Sequence, residues 1–402
     1  MFDLVKILFT LSFLVVLLRK RMQIGYVLLL GSLLLALLYL MPPRAALSAV
    51  TRAIKNPETL KLAVALTAIR GFELIMREKD VMSRMMAAAK GILKGGKPFI
   101  ISMPMLIGML PSIGGAYFSA PMVEESTKGL AMKPEEKGFI NYWFRHPWEY
   151  ILPLYPGLVL ASALTGFGLR QLIFSNLPYS ITIVLTGFLF SMRGAIKGRA
   201  PEDERAAVKN LPSFIPVLSV LVLVIVFGVG LHWALLAGLA GLVLYFRYYS
   251  PRDLIRVIKH CLQPDVILLI AGAMIFEEIM GASGAVANLS RFFESAGIPL
   301  APLLFVLPFV SGLLTGLSVG FVSATFPLIL SLPAGHMLPN ISFAYAAGFL
   351  GVLLSPVHVC FILSREYFNA DMWLMYKKTL PAAAIVFAVA VAERFMVLKG
   401  WL

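Results

Sequence analysis

The chain has 402 residues, 59% hydrophobic and 14% charged, with a mean hydropathy of +0.86. Soluble domains carry about a quarter charged residues, so this composition excludes an ordinary soluble protein. It describes a polytopic helical membrane protein with room for about ten spans. The net charge of +14 would indicate nucleic acid in a soluble chain; here Lys and Arg mark cytoplasmic loops, and no nucleic-acid partner is expected.

In chain order, apolar segments run over 4–18, 24–41, 57–77, 140–167 and 178–193, then over 212–231, 233–247, 264–281, 340–364 and 380–398. Asp3 precedes the first and Arg19-Lys20-Arg21 follows it, the reverse of a secretory leader. The basic patch 44–55 reads as an interfacial helix. Amphipathic stretches 82–95 and 285–297 each lead into two short apolar pieces joined by glycines. In the first case these are 98–110 and 116–123, around Pro111-Ser112-Ile113-Gly114-Gly115. In the second they are 300–314 and 321–331, around Thr315-Gly316-Leu317-Ser318-Val319-Gly320. Pieces this short do not cross roughly 30 Å of hydrocarbon, so they read as re-entrant helical hairpins covered by protein or a water-filled cavity.

The chain is written twice. Gly71-Phe72-Glu73-Leu74-Ile75-Met76 returns as Ile275-Phe276-Glu277-Glu278-Ile279-Met280, about 204 residues on. Pro104 and Gly108 return as Pro308 and Gly312, and Ser119-Ala120 as Ser323-Ala324. The repeats are 1–193 and 212–402, with a charged cytoplasmic linker at 194–211. Five spans per repeat is odd, so the second enters the membrane inverted. The excess of Lys and Arg in alternate loops then puts both termini outside. The expected fold is an all-α membrane protein of two inverted-topology repeats, each with one re-entrant hairpin.

Hairpin tips expose helix-end amides that suit an oxyanion, and carbonyls and hydroxyls that suit a small cation. Ser112, Gly114, Gly115, Thr315, Gly316 and Ser318 are therefore the candidate substrate-binding residues. The span after each hairpin is interrupted, by Arg145-His146-Pro147-Trp148-Glu149 and by Ser355-Pro356-Val357-His358. Proline there frees a carbonyl, which adds Ser355 to the set. Superposing the prolines places Glu149 opposite His358. An ionisable group in a span is a functional candidate, so His358 and Glu149 are candidates for ion or proton coupling, as are the repeated carboxylates Glu73 and Glu277. Arg145 and Glu149 are spaced to pair with each other, and Arg70 to neutralise Glu73.

Gly316-Leu317-Ser318-Val319-Gly320 satisfies the nucleophile-elbow pattern, with His358 as an imaginable base; that motif needs a strand-to-helix turn, and an intramembrane hydrolase is the third reading. Cys261 and Cys360 form no disulfide framework, and no metal-ligand spacing appears, so neither cofactor nor metal is expected. No phosphate-binding loop is present, which leaves a sodium or proton gradient as the energy source.

This order of elements resembles the ion-transporter superfamily of prokaryotic secondary carriers for citrate, gluconate, dicarboxylates and similar anions. Within it the chain is similar to a family of prokaryotic integral membrane proteins of unassigned function. Met109-Leu110-Pro111-Ser112-Ile113-Gly114-Gly115, the stretch 141–156 and Gly351-Val352-Leu353-Leu354-Ser355-Pro356-Val357-His358 carry the resemblance. It implies an elevator: a scaffold from 1–80 and 212–282, which often dimerises, and a transport domain from 98–193 and 298–402. The sodium–dicarboxylate carriers have Ser-Asn-Thr at each tip, whereas this chain has no asparagine there. The expected function is gradient-coupled transport of a small solute, an organic anion first, in the cytoplasmic membrane of a prokaryote. A cation:proton antiporter using Glu73, Glu277 and His358 is the alternative.

Overall fold

Proline begins many of the helices, in the position where a missing amide costs nothing. The computed structural model describes residues 2–20, 22–93, 96–110, 115–191, 208–247, 250–285, 288, 299–330, 332 and 337–401, with no strand among them. The first half contains α1 (Phe2–Arg19), α2 (Ile24–Leu38), α3 (Pro43–Lys55), α4 (Pro57–Glu78), α5 (Val81–Leu93), α6 (Gly96–Gly108) and α7 (Gly115–Ser126). It continues with α8 (Pro134–Trp143), a 3-10 turn (Pro147–Tyr150), α9 (Pro156–Thr165) and α10 (Leu169–Phe190). A 3-10 turn (Leu211–Phe214) opens the second half, followed by α11 (Ile215–Ile225), α12 (Leu231–Tyr245), α13 (Pro251–Cys261) and α14 (Pro264–Ala282). The chain then runs through α15 (Leu300–Thr315), α16 (Ser318–Leu330), α17 (Leu338–Leu354), α18 (Val359–Phe368) and α19 (Met372–Leu398).

Local chemistry explains several of these limits. The Asn56 side chain accepts the Glu58 amide at 2.9 Å and starts α4. Ser250 and Asp253 cap α13 reciprocally, and the Ser250 hydroxyl holds the Asp253 carboxyl below the usual carboxylate range. Gly166 and Gly316 end α9 and α15 in the left-handed conformation, at φ 73° and 65°, which glycine adopts without strain.

Four helical stretches are long and apolar enough to cross a membrane: Leu169–Phe190, Val208–Ile225, Leu338–Phe368 and Met372–Leu398. Large apolar side chains lie exposed on α2, α10, α11, α12 and α19, as expected of surfaces that face lipid. The protein is thus a polytopic, all-helical chain of membrane character. Helix α10 begins nine residues earlier than its apolar run at 178–193, because Arg170, Gln171 and Asn176 dilute the hydropathy without breaking the helix. The amphipathic stretch at 82–95 is largely α5; most of its counterpart at 285–297 lies outside the described residues, as does most of the linker 194–211.

Helix packing is reciprocal between the halves. Helix α2 lies along α14 and α4 along α12; α3 packs on α14 and α13 on α4; α7 meets α18 and α16 meets α9. The short helices α6 and α7 pack together, as do α15 and α16. They have 13, 12, 16 and 13 residues, so each is only about 18–24 Å long. Among the described residues, the contacts between α1–α4 with α11–α14 and the remaining helices are sparse compared with those inside each group. The largest fully buried side chains, including Trp143, Tyr142, Tyr150 and Phe349, crowd around the two places where α8 and α17 break off.

Candidate functional site

Two helices stop in mid-course where proline follows. Pro147 has no amide to donate, and α8 ends at Trp143, with the chain passing through the 3-10 turn before α9 begins. Pro356 holds Ser355 extended, and α17 ends at Leu354, with α18 resuming at Val359. Each break leaves carbonyls without helical partners, and tyrosines of the opposite half take them. The Tyr142 hydroxyl donates to Leu353 O at 2.9 Å, and the Tyr345 hydroxyl to Glu149 O at 2.9 Å. Tyr376 adds a hydrogen bond to Leu354 O at 3.1 Å.

Between the breaks lie two buried imidazoles. His146 is 2% exposed and His358 6%, and their Nε2 atoms are 3.0 Å apart. Each Nδ1 stands 2.6 Å from a main-chain carbonyl, Tyr142 O for His146 and Gly316 O for His358. A carbonyl oxygen only accepts, so both Nδ1 atoms carry hydrogen and donate. Both Nε2 atoms therefore turn toward each other across 3.0 Å, where the Cys360 thiol, a proton or a bound cation can satisfy their lone pairs. A Glu149 carboxylate oxygen lies 3.9 Å from His146 Nε2. Cys360 completes the group: its sulfur and the imidazole nitrogens all lie within 4.8 Å of one another.

The second hairpin tip closes over this cluster. A Cβ added at Gly316 would stand 3.0 Å from the His358 Cα and 3.2 Å from the Ser355 Oγ. One added at Gly157, at the start of α9, would stand 2.7 Å from the Ser318 Cβ. Two glycines thus let the tip touch both broken helices, and the Ser318 hydroxyl faces the Glu149 carboxylate. Thr315 folds back on Gly320, while Leu317 is exposed. Ser112 and Gly114 lie outside the described residues, whereas Gly115 starts α7 and is buried.

Arg145 is the charged residue of this region that sequence reasoning misjudged. It does not pair with Glu149, because the backbone between them leaves the α-helix and the i,i+4 geometry is lost. Its backbone packs against Gly108 at the end of α6. The side chain is 4% exposed, and Nε and Nη1 have no hydrogen-bond partner among the described residues. Its charge acts on Cys360 and Tyr155, which places the guanidinium beside the cluster.

The repeated carboxylates are elsewhere. Arg70 bonds Asp265 at 2.7 Å and also Gln263, while Glu73 lies 3.7 Å from Arg77, and the charges of Arg77 and Arg70 both act on it. Glu278, next to Glu277, pairs with Arg52 at 3.1 Å. Neither Glu73 nor Glu277 shares a hydrogen bond or ion pair with the histidines among the described residues. Ser318 begins a helix after a two-residue turn from another helix, and both nitrogens of His358 are occupied by Gly316 O and His146. The elbow-like pattern thus lacks the strand-to-helix turn that the motif needs. A cavity of about 470 Å³ lies apart from the cluster, lined by Arg170, Tyr179, Ser342, Glu393 and Arg394 among others. The rings of Tyr179, Tyr150, Phe349 and His146 form a continuous aromatic path from its wall to the histidine pair.

His146 and Cys360 escaped the sequence reading. The available signals were the His358-Val359-Cys360 spacing and a second histidine beside the matching proline of the other half.

Fold and composition define a multi-pass helical membrane protein with a polar cluster where two helices break. Residues 3–397 match the family model described as "Protein of unknown function (DUF401)", and the chain belongs to that family. No curated protein matches it.

Proposed function

We propose that the protein is a secondary active transporter of a small organic anion, carboxylates first, working by alternating access on a sodium or proton gradient. The observation that carries this reading is Arg145. A buried guanidinium with Nε and Nη1 unsatisfied is costly, and one held beside the histidine cluster is suited to an anion that neutralises it. Amides and hydroxyls of Thr315, Gly316, Ser318 and Ser355, with Ser112, Gly114 and Gly115 of the first tip, would complete the anion's hydrogen bonds. The histidine pair and Glu149 offer a place for a coupling cation.

The reciprocal packing of α2 on α14 and α4 on α12 supports two inverted repeats. The sparse contacts between helix groups support a scaffold of 1–80 and 212–282 carrying a transport domain of 98–193 and 298–402. The likeness to the ion-transporter superfamily rests on the residues alone. In that reading the protein sits in the cytoplasmic membrane of a prokaryote, both termini outside, as a homodimer through its scaffold.

The test is thermal unfolding of purified protein with small carboxylates, other oxyanions and monovalent cations. One anion class should raise the melting temperature by mass action, and Arg145→Gln should weaken that anion at least about tenfold, the worth of a charged hydrogen bond. Full stabilisation of Arg145→Gln by the same anion would sink the reading. Stabilisation by a monovalent cation alone would favour the second reading, cation:proton antiport, which the contact between Glu149 and the histidine pair recommends.

A further inference from the structure

We propose that His146, His358 and Cys360, with Glu149 as fourth donor, bind a single zinc-like transition-metal ion between the two broken helices. The donor set is two imidazoles, one thiol and one carboxylate, a combination that suits borderline d-block ions rather than calcium or magnesium. The geometry of the two imidazoles is close to what such an ion requires. Two nitrogens at about 2.0–2.1 Å from a tetrahedral zinc stand about 3.3 Å apart, and the two Nε2 atoms are 3.0 Å apart. The thiol is within 4.8 Å where about 3.5 Å is needed, a shift that a side-chain rotation at Cys360 supplies.

The outer shell is already built. Ligating imidazoles donate their second nitrogen to a carbonyl or carboxylate, which fixes the tautomer and aims the lone pair at the metal. Both histidines do so, to Tyr142 O and Gly316 O at 2.6 Å. Binding releases the Cys360 proton to solvent as the metal–sulfur bond forms. Thiolate and carboxylate together balance a divalent ion, so Arg145 keeps its charge.

The ligands come in equal number from the two halves: His146 and Glu149 flank the first break, His358 and Cys360 the second. Cys360 lies next to Pro356, Val357 and Val359, whose side chains are exposed at the protein surface. A bound ion would pin α8, the 3-10 turn and α18 to one another, holding the transport domain of the proposed function in one compact form. The site itself depends on no substrate.

The experiment uses full-length, metal-stripped protein in detergent, with its affinity tag removed and cobalt(II) as the probe. One cobalt per chain should bind with a thiolate-to-cobalt charge-transfer band. Cys360→Ser should abolish that band, and His146→Gln or His358→Gln should each weaken binding at least about 100-fold. His232→Gln, outside the cluster, should change neither. A second measurement guards against ligand variants that misfold: in the Cys261→Ser chain, saturating zinc(II) should protect Cys360 from alkylation. Cobalt bound without the thiolate band, unchanged affinity in Cys360→Ser, or alkylation unaffected by zinc(II) would each overturn the site. Because these readouts need no transport, the carrier reading and the metal site can fail independently.

Discussion

Tyr142 and Tyr345 close the two helix breaks reciprocally, and that reciprocity sets what each hydroxyl is worth. Tyr142 donates to a carbonyl freed by Pro356, and Tyr345 to one freed near Pro147. Both rings are almost wholly buried, so phenylalanine fills the same volume and removes only the hydrogen bond. The loss differs from that of a surface contact, because the orphaned carbonyl stays in a dry interior. Tyr142→Phe and Tyr345→Phe should each destabilise the protein by about 1–3 kcal/mol, read as a lower unfolding temperature. Tyr376→Phe should cost less, since that ring is less buried. Equal stability of Tyr142→Phe and the unaltered protein would mean that another donor serves Leu353 O. The same reciprocity ties the breaks to the function: a hydroxyl from each half holds open the backbone around the histidine pair.

At the scale of elements, the second tip depends on Gly157 as much as on its own glycines. A Cβ there meets Ser318 at 2.7 Å, and the neighbours in contact include the Ser318 backbone, so the clash is not relieved by a side-chain rotation alone. Gly157→Val should therefore push α16 off α9 and abolish anion binding in the thermal assay, whereas Gly241→Ala, whose Cβ meets nothing within 4 Å, should leave it intact. These hairpins and broken helices were legible in the sequence because proline and glycine act locally: Pro147, Pro356 and Gly316 end helices wherever the rest of the chain goes. The site was legible only where one half carried its own signal, as with His358 and Ser318. The pairing of His146 with His358 spans 212 residues, and no local pattern records it. The expected Arg145–Glu149 pair failed for the complementary reason, since helical spacing was applied across a stretch where the helix had ended. Cys360 was set aside because one thiol in an apolar run looks like packing until two imidazoles are placed beside it.

The whole molecule sets α1–α4 and α11–α14 against the helices that hold the cluster, and among the described residues fewer contacts cross the seam than lie within each group. Where α14 meets α16 there is a small void lined by Ile7, Leu35, Phe276, Met280, Ala324 and Leu328. Close-packed interiors resist sliding; a seam with fewer contacts and apolar walls resists it less. If the cluster-bearing group moves as a body, Leu317 at its exposed tip must reach both sides of the membrane in turn. In a Cys261→Ser, Cys360→Ser background, Leu317→Cys should be labelled by an impermeant thiol reagent in both right-side-out and inverted vesicles. Labelling from one face only would rule out alternating access at this tip. The rigidity of the group is testable in the same vesicles. A Cβ at Gly138 would stand 3.5 Å from the Ala370 Cβ, within disulfide range, so Gly138→Cys with Ala370→Cys should form a bridge inside the group. The bridged protein should still expose the thiol introduced by Leu317→Cys to both faces, because a body that moves as one loses nothing by an internal staple. Loss of labelling at one face on oxidation, restored by reduction, would mean instead that the motion deforms α8 against the Ala370 turn, and that the two broken helices work as hinges rather than as cargo.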